Sequence, residues 1–239
     1  KRDEYYQPEE VTKLLVKLAN VKPNESVYNP FCGFGSYFVE IEKNLPLNEK
    51  GTVNYFGEEI SGYVSTLTAI RLYANRIKTE NFFNSNSFYN LHEFSLKKNS
   101  SFDVSISTPP WGITLEKTLI GINKSKKSFN KAINLLDEEN ERTILRLLNE
   151  AQNYELVNKI FSPKDSFESY FLFEGIKFSN RLLGIVSGAI LFSERDKKIR
   201  KELIDNDYIE TIISLPANIY NSTSISSFIL ILTKNKIIF

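Results

Sequence analysis

Apolar runs short enough to be strands alternate along this chain with stretches of helical period. That alternation constrains the fold more than any other feature of the sequence. "ESVYNPFCGFGSYFVEIEKN" reads as strand, glycine turn and helix. "GTVNYFGEEI" is a strand, and "SGYVSTLTAIRLYANRI" is a helix that Ser61 is suited to cap. A short strand around Phe82 and Phe83 precedes a further one, "SFDVSIS". Near the C-terminus "SYFLFEGIKFSN" reads as a helix, "RLLGIVSGAIL" as a strand and "SERDKKIRKELIDND" as a helix with a basic middle. Strands separated by helices pair in parallel, with helices on both faces. The last two strands, "YIETIISLP" and "SSFILILTKNK", are joined only by "ANIYNSTSI", too short for a helical crossover, so they pair antiparallel. The expected fold is α/β, a mostly parallel doubly wound sheet with an antiparallel strand near the C-terminus.

Two segments stand apart. "PEEVTKLLVKLANV" sets Val11, Leu14, Leu15 and Leu18 at helical spacing behind Pro8, an N-terminal segment and helix over residues 1–20. Residues 115–165 are charged, mostly helical and without a strand candidate. They read as an insertion into one domain spanning 1–239, either a helical flap or a partner surface. Beginning at Lys1 without a methionine, the chain reads as a fragment of a longer protein, or as a sequence from which methionines have been lost.

Thirty Lys and Arg against 29 Asp and Glu leave no global field to draw in a polyanion, so any such contact is local. Candidates are Arg195, Lys197, Lys198, Arg200 and Lys201, a pattern more usual for a solvated helix face, and Lys124, Lys126 and Lys127. A single cysteine excludes an internal disulfide and suits a reducing cytoplasm. No run approaches membrane-span length. His92, the only histidine, has no second metal ligand beside it.

In an open α/β sheet, ligands sit beyond the carboxyl ends of the strands. "NPFCGFG" holds that place after the first strand, where Gly33 and Gly35 permit a sharp turn and a close backbone approach. The second strand ends in "GEE". Glu58 or Glu59, about two dozen residues beyond the glycines, suits a carboxylate that accepts both ribose hydroxyl protons. A dinucleotide site wants a third glycine near Phe38; that bulky residue disfavours NAD or FAD, and S-adenosylmethionine, which has no pyrophosphate, fits. In "STPPWG" the strand stops because Pro109 and Pro110 cannot donate ladder hydrogen bonds. Trp111 follows on a stiff turn, where its ring need not pack into a core.

Taken together, these residues resemble the gamma-type adenine-N6 DNA methyltransferases, and within them the modification subunits of type I restriction-modification systems. That family carries, in order, Q-F/Y-F/Y-T-P, D-P-A-C-G-T-G-G-F, G-x-E-I, G-D-S/T-L, N-P-P-aromatic-G and G-L-P-x-N-L-F. Here stand "YYQP", "NPFCGFGSYF", "GEEI", "SNSF", "TPPWG" and "SLPANIY". The resemblance covers roughly residues 3–113 and 168–236. It implies S-adenosylmethionine as methyl donor, bound by Tyr6, Gln7, Asn29, Cys32, Gly33, Gly35, Glu59, Ile60, Asn86 and Ser87. Cys32 itself is expected to be small, buried and inert.

The implied catalytic loop is Thr108, Pro109, Pro110 and Trp111. An oxygen at position 108 and the Pro109 carbonyl would accept the adenine amino protons, while the indole stacks on the flipped base. The implied partners are DNA and the specificity and restriction subunits of a type I complex. The chain departs from the pattern at Asn29 for Asp, Phe34 for Thr, Asn86 for the acidic residue, Gln7 for Thr and Thr108 for Asn. Activity is expected to be retained but weak. The alternatives are a degraded, non-catalytic DNA-binding or assembly module, methylation of RNA or of protein glutamine, and a nicotinamide oxidoreductase.

Overall fold

The computed structural model describes residues 7–85, 87, 102–115, 164–220 and 224–234. Its elements run α1 (Glu9–Ala19), β1 (Ser26–Asn29), α2 (Ser36–Asn44), β2 (Asn54–Glu59), α3 (Gly62–Ala74), β3 (Phe82–Asn84) and β4 (Phe102–Ser107). After residues 116–163 come α4 (Phe167–Lys177), β5 (Ser179–Ser187), α5 (Ala189–Phe192), α6 (Lys197–Asp205), β6 (Ile209–Ser214) and β7 (Ser227–Thr233). Seven strands form one sheet in the order β3-β2-β1-β4-β5-β7-β6. All pairs are parallel except β7, which runs against both β5 and β6. The reversed strand expected from the short final connection is therefore present.

Period-two alternation divides the core between the faces. Val27, Val104, Ile106, Leu183, Ile185, Ile229 and Ile231 pack with α1, α2 and Leu72 of α3. Leu182, Val186, Leu230 and Leu232 pack with α4 and α6 on the other face. Tyr28, Phe56 and Phe102 fill that second face towards β2, with the Tyr28 and Phe102 rings stacked 4.7 Å apart.

One local expectation is corrected. "RLLGIVSGAIL" is not one strand: β5 ends at Ser187, and Ala189–Phe192 turns into α5, with Gly188 N–H donating to Ser226 O. In β4, Ser105 and Ser107 are buried like Val104 and Ile106, because a central strand is covered on both faces. Small polar residues there reflect tight packing, not solvent.

The flanks of the 115–165 segment lie side by side. Thr114 pairs antiparallel with Ser166, Leu115 N donates to Asp165 O, and Phe167 N donates to Ile113 O. Residues 116–163 lie outside the described residues, as do Lys124, Lys126, Lys127 and His92. Below these flanks Asp196, fully buried, accepts from Ser166, Ser169, Ser193 and Arg195. Arg200 donates to the carbonyls of Ile190 and Ser193. The basic run thus turns two arginines into the fold, while Lys197 and Lys201 pair with Glu194 and Asp205 on its surface.

Candidate functional site

The carboxyl ends of β1, β2 and β4 lie along one edge of the sheet, since these three neighbours are parallel. The loop after β1 begins at buried Asn29, whose Oδ1 accepts from Phe31 N at 3.0 Å, an Asx turn that starts the bend. Gly33 and Gly35 follow with φ of 49° and 69°, in the left-handed region that glycine tolerates. Helix α3 holds this loop from behind. Thr68 donates to Gly33 O, Arg71 donates to Phe34 O at 3.0 Å, and a Cβ at Gly35 would stand 2.9 Å from Leu72 Cδ2. A Cβ at Gly33 would meet nothing within 4 Å. One glycine is needed for packing, and the other leaves space.

The two acidic residues ending β2 separate cleanly. Glu58 is fully buried and accepts from Tyr28 and Ser85 hydroxyls. Glu59 is half-buried at the sheet edge. Its Oε1 accepts from Ser61 N at 2.8 Å, and its Oε2 has no partner among the described residues. Alternation therefore decides between them: Glu58 turns into the fold, and Glu59 keeps a carboxylate oxygen without a partner among the described residues. Ile60 beside it is 64% exposed, whereas Ser87 is buried. Cys32 is also buried, and its thiol is pushed up to about 12 by burial and then by the Glu59 and Glu58 charges. It stays protonated. Tyr6 and Asn86 lie outside the described residues.

The loop after β4 is built differently. Thr108 donates its hydroxyl proton to Gln7 Oε1 at 2.6 Å, and Tyr37 of α2 stands 2.7 Å from Thr108 Oγ1 and 2.8 Å from Gln7 Oε1. Gln7, expected among cofactor contacts, has its amide oxygen set against the loop after β4. Pro109 is buried and its carbonyl accepts no hydrogen bond among the described residues; Pro110 is half-buried.

Trp111 requires a correction. Its ring does pack into the core, 7% exposed, with Nε1 donating to Ile185 O at 3.1 Å and an edge-to-face contact with Tyr220 at 5.0 Å. An indole so flanked removes its apolar area from water and satisfies its only donor, which an exposed turn cannot do. In this arrangement it fastens the loop to β5.

Three residues of the site escaped sequence reasoning. Glu168, fully buried on α4, accepts from Ser187 N at 2.7 Å, Ser187 Oγ at 3.1 Å and Gly112 N at 3.4 Å, pegging the end of the loop to β5. Burial raises its pKa against the pull of those donors. Its signal was a lone carboxylate inside the apolar run "SFESYFLF". Tyr37 had no signal beyond its motif. Tyr220 is 2% exposed and its hydroxyl has no partner among the described residues.

The chain matches the model of the N-6 DNA methylase family over residues 1–149 and 149–238. The chain belongs to the N-6 DNA methylase family. Within that family it is 27% identical over 243 residues to the type I restriction enzyme MjaVII methylase subunit of Methanocaldococcus jannaschii, covering 99% of this chain and 37% of the relative. It is 22% identical over 245 residues to the MpnII methylase subunit of Mycoplasma pneumoniae, covering 98% of this chain and 40% of that one. The type I restriction-modification methyltransferase subunit of Streptococcus thermophilus superposes with a TM-score of 0.71 at 21% identity, covering 97% of this chain and 44% of its own. This N-6 DNA methylase chain thus spans less than half the length of each of these three relatives. Among its described residues, no helix is long and apolar enough to cross a membrane, and no group of three or more His, Cys, Asp or Glu side chains is placed to hold a metal ion.

Proposed function

We propose that this chain carries the catalytic region of an S-adenosylmethionine-dependent adenine-N6 DNA methyltransferase, the modification subunit of a type I restriction-modification system. Its partners are then DNA and the specificity and restriction subunits. The observation that carries the reading is the 2.7 Å contact between Tyr37 and Thr108, which joins the helix behind the glycine loop to the tip of the neighbouring strand. The donor side and the acceptor side of a methyl transfer are so brought to one place.

The residues present fit the cofactor. Open space over Gly33, an unpaired Glu59 oxygen and an exposed Ile60 side chain offer a backbone cradle, a ribose acceptor and an apolar face for a purine. When bound, S-adenosylmethionine supplies a methyl group already activated on a sulfonium, so no covalent enzyme intermediate is called for. The chain then has to position rather than activate. Thr108 Oγ1 and the Pro109 carbonyl accept the protons of the extruded amino group, drawing its lone pair onto nitrogen. The buried Pro109 and the fastened Trp111 fix their aim. Cys32, held protonated, does not compete as a nucleophile for the methyl group.

Incubating the full-length chain and its specificity subunit with tritiated S-adenosylmethionine and genomic DNA from a methylation-free host tests this. Label appears in N6-methyladenine, and Thr108→Ala removes at least about a hundredfold of it while calorimetric cofactor binding persists. No heat of cofactor binding, or label confined to RNA or protein, overturns the reading.

A further inference from the structure

Three oxygens, Gln7 Oε1, Tyr37 Oη and Thr108 Oγ1, lie within 2.6, 2.7 and 2.8 Å of one another. Only two protons are available to those three contacts, and the amide oxygen must receive at least one of them. Gln7 Nε2 donates to Thr12 Oγ1 at 2.9 Å, and the Thr12 hydroxyl donates to Pro8 O at 3.3 Å. That chain at the head of α1 orients the amide, so its oxygen faces the two hydroxyls. An amide oxygen cannot donate. Thr108 therefore donates either to Gln7 Oε1 or to Tyr37 Oη, which in the second case passes its own proton to Gln7. In both arrangements the Thr108 proton stays within the triad, and Oγ1 offers only acceptor capacity outside it.

Resting on the methyltransferase reading above, we propose that Gln7 and Tyr37 are positioning residues that turn the Thr108 hydroxyl into a one-way acceptor for the target amino group. A hydroxyl free to rotate would present its own proton to an amino group part of the time, donor against donor. An amide oxygen at position 108, as the family pattern has it, carries no such risk. This chain has exchanged the two groups: the pattern's Thr at position 7 and Asn at 108 are here Gln7 and Thr108. In this chain the amide and the hydroxyl are in contact. Burial keeps the Tyr37 phenol protonated, so it remains a donor to one of its two neighbours.

The test uses the full-length chain with its specificity subunit, genomic DNA and the variants Gln7→Leu, Tyr37→Phe, Thr108→Asn and Gln7→Leu/Thr108→Asn. Gln7→Leu lowers turnover about tenfold or more with the KM for S-adenosylmethionine little changed, and Tyr37→Phe lowers it less. Thr108→Asn restores turnover in the Gln7→Leu background, because an amide oxygen needs no partner to hold a proton away. Wild-type turnover in Gln7→Leu, or a loss that Thr108→Asn does not repair, overturns the inference. Where wild type itself transfers no methyl group, the functional reading fails separately. The contact is then judged from unfolding free energies of Gln7→Leu, Thr108→Val and their double variant. Non-additive losses uphold the lock, and additive ones remove it.

Discussion

The loops after β1 and β4 stand side by side at one sheet edge, and they are made by opposite means. Among the described residues, the glycine loop is shaped by what is missing: no side chain over Gly33, a carboxylate oxygen on Glu59 without a partner and an uncovered Ile60. The Thr108–Gly112 loop is shaped by what holds it: Gln7 and Tyr37 at one end, Trp111 in the core, and Glu168 at the other. A large ligand bound mostly through its surface needs room, whereas a small amino group needs acceptors that do not move. On the proposed function, the open loop would hold the cofactor and the fastened loop the amino group, and the difference in construction follows from that.

The strongest way to break this comparison is to unfasten the second loop. Trp111→Ala deletes an almost fully buried indole together with its bond to Ile185 O. The expected loss is roughly 3–5 kcal/mol of unfolding free energy, read from urea denaturation. A loss below about 1 kcal/mol would mean that the ring is not a fastening and would return it to the base-stacking role.

The two glycines sharpen the comparison from the other side. Gly35→Ala forces a side chain into left-handed backbone and into Leu72, with an expected cost of roughly 2–3 kcal/mol. Gly33→Ala meets only the backbone strain, about 1 kcal/mol, because nothing lies near its added carbon. Yet Gly33→Ala is the variant expected to weaken S-adenosylmethionine, by about tenfold or more, since its methyl group enters the open space. Equal calorimetric affinity in wild type and Gly33→Ala would show that this space is solvent and nothing else.

The sheet was legible because strand and helix periods are local signals, and because the short connection between β6 and β7, residues 215–226, favours antiparallel pairing. The glycine loop was legible for the same reason: a left-handed turn restricts the residue types directly. What escaped are properties of neighbours distant in sequence. Gln7 and Thr108 are 101 positions apart, so two separate departures from the family pattern gave no hint that they touch. Trp111 was placed outside the core because the prolines before it suggested an exposed turn, while Ile185 and Tyr220, which bury it, come from later elements. Likewise the alternation in β4 gave no warning that both of its faces are covered.

The smallest effect expected comes from two buried carboxylates that fix the surroundings of the second loop with opposite sign. Burial raises Glu168 above the ordinary value of 4.5, outweighing its three donors. Burial also opposes ionisation of Asp196, but bonds from Ser169, Arg195, Ser193 and Ser166 outweigh it and hold the group below 3.8. By linkage, the native state binds the Glu168 proton more tightly than the unfolded chain does. Its contribution is therefore complete below pH 4.5 and is lost as pH rises through the folded value. Asp196 contributes above pH 3.8, and that contribution is lost as pH falls through its own depressed value. The stability difference between wild type and Glu168→Gln should shrink from acid towards neutral pH, and that between wild type and Asp196→Asn should shrink only on further acidification. Chemical denaturation at a series of pH values measures both. Parallel profiles for wild type and Glu168→Gln would show that the Gly112 and Ser187 donors hold Glu168 as an ordinary carboxylate, fastening the loop by charge at every pH above its titration.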